Sequence, residues 1–133
     1  MATSATAWTR NSVGLREMTF SIPTNEHEEG TSEDYPDHVH TDMTIVFNPI
    51  GTNYPTASTL SWKLQASYDG GTTYVDVISE SAKAIDEAAY RYYYDRDDNG
   101  ALPKFRITAD PSARLDSAGD PGTSELKVVI IPN

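Results

Sequence analysis

The chain has 133 residues, a length suited to a single domain, and a formal net charge of −10. Its ten Lys and Arg residues are scattered, whereas nucleic-acid-binding proteins cluster these cations, so we expect no nucleic-acid partner. It has no cysteine and no apolar run near the ~20 residues of a membrane span, which excludes disulfides and thiolate metal sites and predicts no membrane partner.

Residues 1–14 are small, polar and aperiodic, and they predict a flexible N-terminal arm ahead of one domain at residues 15–133. The arm has neither the basic nor the apolar segment of a signal peptide, so we expect no Sec export. Trp8 stands out because an isolated tryptophan in a polar tail either frays or docks on a neighbouring subunit. Trp8 is therefore a candidate interface residue.

Short strand-like runs separated by turn signals make up the rest of the chain. The strands are predicted at residues 16–22, 42–47, 58–68, 72–78, 90–95, 104–109 and 125–131. Residues 79–89, with the sequence SESAKAIDEAA, are the one helix-friendly segment. About seven to eight strands with at most one short helix predict an all-β fold, an antiparallel β-sandwich that is jelly-roll-like.

The clearest local signal is a β-hairpin at residues 58–78. Its first strand alternates strictly, with one face formed by Leu60, Trp62, Leu64, Ala66 and Tyr68. Such a period of two is typical of a strand with one buried and one solvated face. The turn Asp69-Gly70-Gly71 supplies the positive φ angles that a tight hairpin needs.

From residue 59 to residue 131 the chain resembles small structural proteins of tailed bacteriophages, notably capsid decoration (cement) proteins. The shared pattern is LQASYDGGTTYVDV, a tyrosine-rich YRYYY strand, a P-x-F-R-I-T strand beginning at Pro103, a Ser/Gly-rich loop and a final apolar strand. The resemblance implies an oligomeric virion component with a β-sandwich or jelly-roll core. It also implies that there are no catalytic residues to carry over.

The hairpin turn also looks like the Asp box of sialidases, S-x-D-x-G-x-T-W, with Tyr74 in the aromatic position. In those enzymes the box is a turn device repeated on propeller blades, far from the catalytic centre. It occurs once here, in a chain too short for a propeller, so we interpret residues 67–74 as a hairpin turn.

Two clusters contain candidate metal ligands. Asp95, Asp97 and Asn99 match the start of a calcium loop, D-x-D-x-N-G, although Arg106 occupies the position of the required bidentate Glu. The segment is either a calcium site of another kind or an acidic turn. His38 and His40 alternate and can chelate a transition metal, with His27 or a carboxylate completing the shell, or they form a solvated loop. No other cofactor is expected.

No catalytic motif is present, because the chain lacks cysteine and a G-x-S-x-G elbow, and we expect no enzyme activity. Tyr90, Tyr92 and Tyr94 share one strand face, which leaves Tyr93 on the opposite face as a candidate interface residue.

Taken with the resemblance to phage decoration proteins, these features lead us to expect a phage capsid decoration protein that is made in the host cytoplasm and binds the outer surface of the virion. Its partners would be the major capsid protein and further copies of itself, with a trimer favoured. The alternatives are a carbohydrate-binding or adhesion module of a tail appendage, or a neck or tail structural component.

Overall fold

The structure is a computed structural model that describes residues 3–23, 29–39, 41–50, 59–84, 89–111 and 123–133. The elements in chain order are β1 (Ser4–Ala5), β2 (Thr9–Arg10), β3 (Arg16–Pro23), β4 (Gly30–Thr31), β5 (Met43–Ile50), β6 (Thr59–Ala66), β7 (Val75–Ala84), β8 (Tyr90–Tyr94), α1 (Arg96–Asn99), β9 (Phe105–Pro111) and β10 (Thr123–Pro132). Over these residues no helix has the length and apolar character that crossing a bilayer requires.

Two antiparallel sheets face each other. One has the order β1-β3-β10-β5-β8 with β2 also on β3, and the other has the order β4-β9-β6-β7. When the eight strands from β3 to β10 are numbered one to eight, one sheet has the spatial order 1-8-3-6. The other sheet has the spatial order 2-7-4-5. This division is the jelly-roll arrangement of two Greek keys. The predicted fold class, an all-β antiparallel sandwich, is confirmed.

The described chain has ten strands, more than the seven to eight predicted, because β1, β2 and β4 have only two residues each. Strands of two residues are too short to show an alternating pattern. Each of the seven longer strands overlaps a predicted one, and the bounds differ most for β7, which runs six residues beyond the predicted strand.

The core lies between the sheets, and the predicted alternation of β6 builds much of it. Leu60, Trp62 and Leu64 are at most 1% exposed, and Ala66 is fully buried beside them. The Trp62 ring is 4.9 Å, between centroids, from the ring of Phe47 in the other sheet. Each such buried side chain contributes on the order of 1.5–3 kcal/mol. Trp62 therefore joins the two sheets through side-chain contact.

The helix-friendly segment at residues 79–89 is strand over its described part, because residues 79–84 continue β7, and the one short helix of the described residues is α1. Pairing with β6 accounts for the difference, since Lys63 lies opposite Ser79 and Trp62 opposite Glu80 in the same ladder. Backbone pairing to a central strand outweighs a weak local helix preference.

The N-terminal segment, expected to be a flexible arm, lies along β3. Both β1 and β2 pair with that strand, and Trp8 is only 7% exposed. The Trp8 indole Nε1 donates a hydrogen bond to the Glu33 carbonyl at 2.9 Å, and its ring meets Tyr35 edge-on at 5.1 Å. The structure thus places Trp8 in the core of its own chain, in contrast to the expected docking on a neighbouring subunit.

We predict that Trp8→Ala lowers the free energy of unfolding by about 3–5 kcal/mol, because it removes a large buried ring. Trp8→Phe keeps an aromatic ring but loses the bond to the Glu33 carbonyl, so its loss should be smaller. Urea unfolding measures both variants, with Val13→Ala, at a 75% exposed position of the same segment, as control. An unchanged stability of Trp8→Ala would show that the segment does not dock.

Candidate interaction surface

Three connections meet at one end of the sandwich, and we call this surface the loop end. It comprises residues 32–39, 41–42, 67–74 and 95–104, which join β4 to β5, β6 to β7 and β8 to β9. Val39 and Leu102 form a β-bridge between two of the connections. The backbone N–H of Ser67 donates a hydrogen bond to the Lys104 carbonyl at 2.8 Å, which joins the β6–β7 connection to the β8–β9 connection.

Asp69 organises the hairpin turn. Its Oδ1 accepts hydrogen bonds from the Ser67 hydroxyl and from the backbone N–H groups of Thr72 and Thr73, at 2.8 to 3.1 Å. The bonds from Thr73 and Ser67 are the main reason that the pKa of Asp69 is lowered to about 2. The interpretation of residues 67–74 as a structural turn therefore fits their geometry.

Asp34 connects the turn to the neighbouring connections. The Tyr74 hydroxyl donates a hydrogen bond to Asp34, which raises the pKa of Tyr74, and the Lys104 ammonium lies 3.7 Å from the same carboxylate. The guanidinium of Arg106 stacks over the Tyr74 ring at 3.6 Å from its centroid. These contacts hold the Tyr74 ring in place between two connections.

Asp42 plays a similar part beneath α1. Its Oδ1 accepts a hydrogen bond from the backbone N–H of Arg96 at 2.9 Å, and its Oδ2 accepts one from the Tyr93 hydroxyl at 2.6 Å. The bond from Tyr93, followed by that from Arg96, lowers the pKa of Asp42, and the same bond raises the pKa of Tyr93. Tyr93, a predicted interface residue, is 55% exposed, but its hydroxyl is engaged within the chain.

The candidate calcium loop forms a capped helical turn. The side chain of Asp95 accepts from the backbone N–H of Asp97 at 2.9 Å, and the Asp95 carbonyl accepts from the backbone and side-chain amides of Asn99, both at 3.0 Å. Asp95 is therefore the N-cap of α1, a position that Asp favours. Within the described residues the structure brings no three acidic or histidine side chains together as metal ligands.

The histidine cluster is described only in part, since His27 and His40 lie outside the described residues. The pairing of His38 with His40 at a metal is therefore still a prediction. His38 is exposed and lines a cleft of about 280 Å³ together with Arg96, Leu102 and Pro103.

Tyr68 is the functional candidate that the sequence placed wrongly. The alternation assigned it to the buried face, but β6 ends at Ala66, and Tyr68 is 62% exposed. It borders the cleft near His38 and also a second one of about 230 Å³ that contains Val75. The Tyr68 hydroxyl donates to the Ala101 carbonyl at 3.3 Å, which limits its movement. An exposed aromatic side chain between two clefts, on a surface fixed by hydrogen bonds, suits contact with another protein.

Comparison with known proteins gives matches among solved structures alone. No protein-family model and no curated protein matches the chain. Among solved structures it is similar to a chain in the structure of infectious bursal disease virus, Gt strain, with a TM-score of 0.40 and 10% sequence identity. The match covers 98% of this chain and 33% of the viral chain, so this chain spans about a third of its length. Likeness at this level does not extend to function.

We predict that the contribution of Asp69 to stability is lost in acid. Its folded-state pKa of about 2 lies below the ordinary value of 3.8, so its contribution is complete above pH 3.8 and disappears as the pH falls through 2. Urea unfolding from pH 5 to pH 2 should therefore show the stability difference between the wild type and Asp69→Asn shrinking over that range. Asp98→Asn, at an exposed aspartate of α1, is the control. A difference independent of pH would contradict the prediction.

We further predict that Asp95 acts as a cap and not as a calcium ligand. Asp95→Ala should cost about 1 kcal/mol, whereas Asp95→Asn should cost little, because Asn caps helices equally well. Thermal unfolding with millimolar calcium chloride and with EDTA should give equal melting temperatures for the wild type. If calcium raises that temperature and Asp95→Asn abolishes the rise, the turn is a metal site.

Proposed function

We propose that this chain is a non-enzymatic virion structural protein, a capsid decoration protein of a tailed bacteriophage that binds the outer capsid surface. The observation that carries the proposal is how the segment resembling phage decoration proteins folds. Residues 59–131 supply β6, β7 and β9 to one sheet and β8 and β10 to the other. The resemblance therefore covers most of a jelly roll, an architecture used in viral capsids.

The mechanism requires contact area and no chemistry. In this proposal the loop end binds the capsid, and the exposed side chains of Tyr68 and of the adjacent Val75 supply the apolar contact. Hydrogen bonds through Asp34, Asp42 and Asp69 fix the surface before binding, so little conformational entropy is lost on association. An interface of ~1,600 Å² across joints between capsid subunits would be ordinary for such a complex.

The acidic charge is consistent with a position on the outside of the shell. A chain with a formal charge of −10 is repelled by packaged DNA. We also propose a homo-oligomer, a trimer, as the form that attaches, since the resemblance implies oligomeric relatives. A position in the neck or tail would use the same fold and the same kind of contact.

A carbohydrate-binding module, the alternative, would present an exposed row of aromatic rings. In the described chain Trp62 is buried, and Tyr90 and Tyr92 are partly buried against it. Among the described residues, the exposed aromatic side chains are those of Tyr68 and Tyr93. Two separate exposed rings do not form such a row, so no observation favours this alternative.

The test is co-sedimentation of the purified chain with shells assembled from the major capsid protein encoded next to its gene. We predict saturable binding that Tyr68→Ala weakens at least about tenfold, as expected for a central interface aromatic. The control is Ile50→Ala, at an exposed apolar position on β5 at the opposite end of the sandwich.

Each result decides a different part of the proposal. The decoration role would be overturned if the chain did not bind the shells. It would also be overturned if the gene lay among tail genes and the chain bound tail components. Equal losses for Tyr68→Ala and Ile50→Ala would overturn the assignment of the loop end as the contact surface. Sedimentation velocity of the free chain tests the trimer.

A further inference from the structure

A polar groove of about 170 Å³ lies on the outer face of the sheet β4-β9-β6-β7, away from the loop end. Ser61 and Lys63 of β6, Ser79 and Ser81 of β7, and Thr108 and Asp110 of β9 line it. Ligand pockets for drug-sized molecules are typically ~300–1,000 Å³. The groove is therefore of a size for one amino-acid side chain, and too small for an oligosaccharide.

Thr108 forms the floor of this groove and is the observation that points to a ligand. It is 1% exposed although its strand neighbours Ile107 and Ala109 face the core and Thr108 faces outward. Its hydroxyl is buried and makes no hydrogen bond within the described structure. A buried hydroxyl without a partner destabilises the fold, so this group fits an arrangement in which the partner comes from outside the chain.

A β-bulge shapes one wall. The ladder between β6 and β7 shifts register between Leu60 and Trp62, where Ser81 and Ala82 lie opposite the single residue Ser61. Ala82 has a positive φ angle of 53°, and its N–H donates to the Ser61 hydroxyl at 3.1 Å. The bulge places Ser81 and Ala82 together beside Ser61, and Ser81 lines the groove next to Ser79.

The charge of the groove selects a cation. Two exposed acidic residues, Glu29 and Asp110, line it against the single lysine of the lining, Lys63. The carboxylate of Glu80 lies toward the opposite face of the sheet, where it pairs with Lys83 at 3.2 Å. The Lys63 ammonium is already 3.6 Å from Asp76, which lies outside the lining. Around the carboxylates, the hydroxyls of Ser79 and Thr108 offer further hydrogen-bond acceptors.

From this geometry we infer that the groove binds the side chain of an arginine from a partner protein. A guanidinium offers five N–H donors in a planar fork, which can reach the carboxylates at the rim and the Thr108 hydroxyl at the floor together. A lysine ammonium has fewer donors and suits this spread of acceptors less well. The inference does not depend on the proposed capsid role, because the groove and the loop end are different surfaces.

The test uses N-acetyl-L-arginine methylamide as probe and NMR of the full chain as readout. We expect saturable shifts at Thr108, Ser79 and Asp110 with millimolar affinity, the range open to so small a ligand. The matching citrulline compound, which has the same shape without the charge, should not bind, and the lysine compound should bind more weakly. Equal binding of the citrulline compound, or shifts that do not saturate, would overturn the inference.

Variants at the floor of the groove give a second readout. Thr108→Val should weaken arginine binding about fivefold, the effect of losing one hydrogen bond, and should raise the melting temperature, because it removes a buried hydroxyl without a partner. Thr108→Ser should keep most of the affinity. A lower melting temperature for Thr108→Val would show that the hydroxyl has a partner within the fold, and would overturn the inference.

The rim is tested by the double change of Glu29→Gln with Asp110→Asn. It should abolish measurable binding of the arginine probe, while Glu125→Gln, at an exposed acidic residue of β10 in the other sheet, should leave binding unchanged. An equal loss in the control would assign the effect to net charge and overturn the site. Because the probe contains no capsid protein, this experiment can fail or succeed independently of shell binding.

Discussion

The position of β10 between β3 and β5 is the constraint on which the sandwich depends. Val128 of β10 lies opposite Met18 on one side and Phe47 on the other, and all three side chains are buried in the core. Because β3 joins the sheet through β10, the N-terminal strands and Trp8 depend on the same pairing. These partners are far apart in sequence, so the fold is assembled from long-range contacts, a topology that favours slow folding.

Away from the core, carboxylates hold the structure together. Asp34, Asp42 and Asp69 each accept hydrogen bonds from a connection other than their own, or from several residues of a turn. A loop lacks the backbone ladder of a sheet, and these side chains supply the acceptors in its place. Part of the strongly acidic composition is therefore structural, and the same residues that set the net charge also fix the shape of the loop end.

The sequence predicted what depends on local pattern, namely the longer strands, the alternating face of β6 and the hairpin turn around Asp69. The sequence did not predict the parts of the structure that depend on pairing with residues far away in the chain. Residues 79–84 are strand because β6 pairs with them, and Trp8 is buried because the two-residue strands beside it pair with β3.

The candidate sites follow the same division. The acidic turn that begins at Asp95 has the residue order of a calcium loop, but capping uses the same residue types, so the order alone does not distinguish the two. The exposure of Tyr68 depends on where a strand ends, and the groove at Thr108 depends on a bulge. Neither leaves a clear pattern in the residues.

The interrupted register of β7 has a consequence for how copies of the chain can meet. β7 is an outer strand among the described strands of its sheet, and unprotected outer strands template fibrils by offering a continuous row of backbone groups. Two register shifts and the positive φ angle of Ala82 break that row into short pieces, and Lys83 adds a charge near its end. At this edge, neighbouring copies of the chain therefore meet a broken row of backbone groups that does not favour growth of a cross-β stack, and association there is left to side-chain contacts.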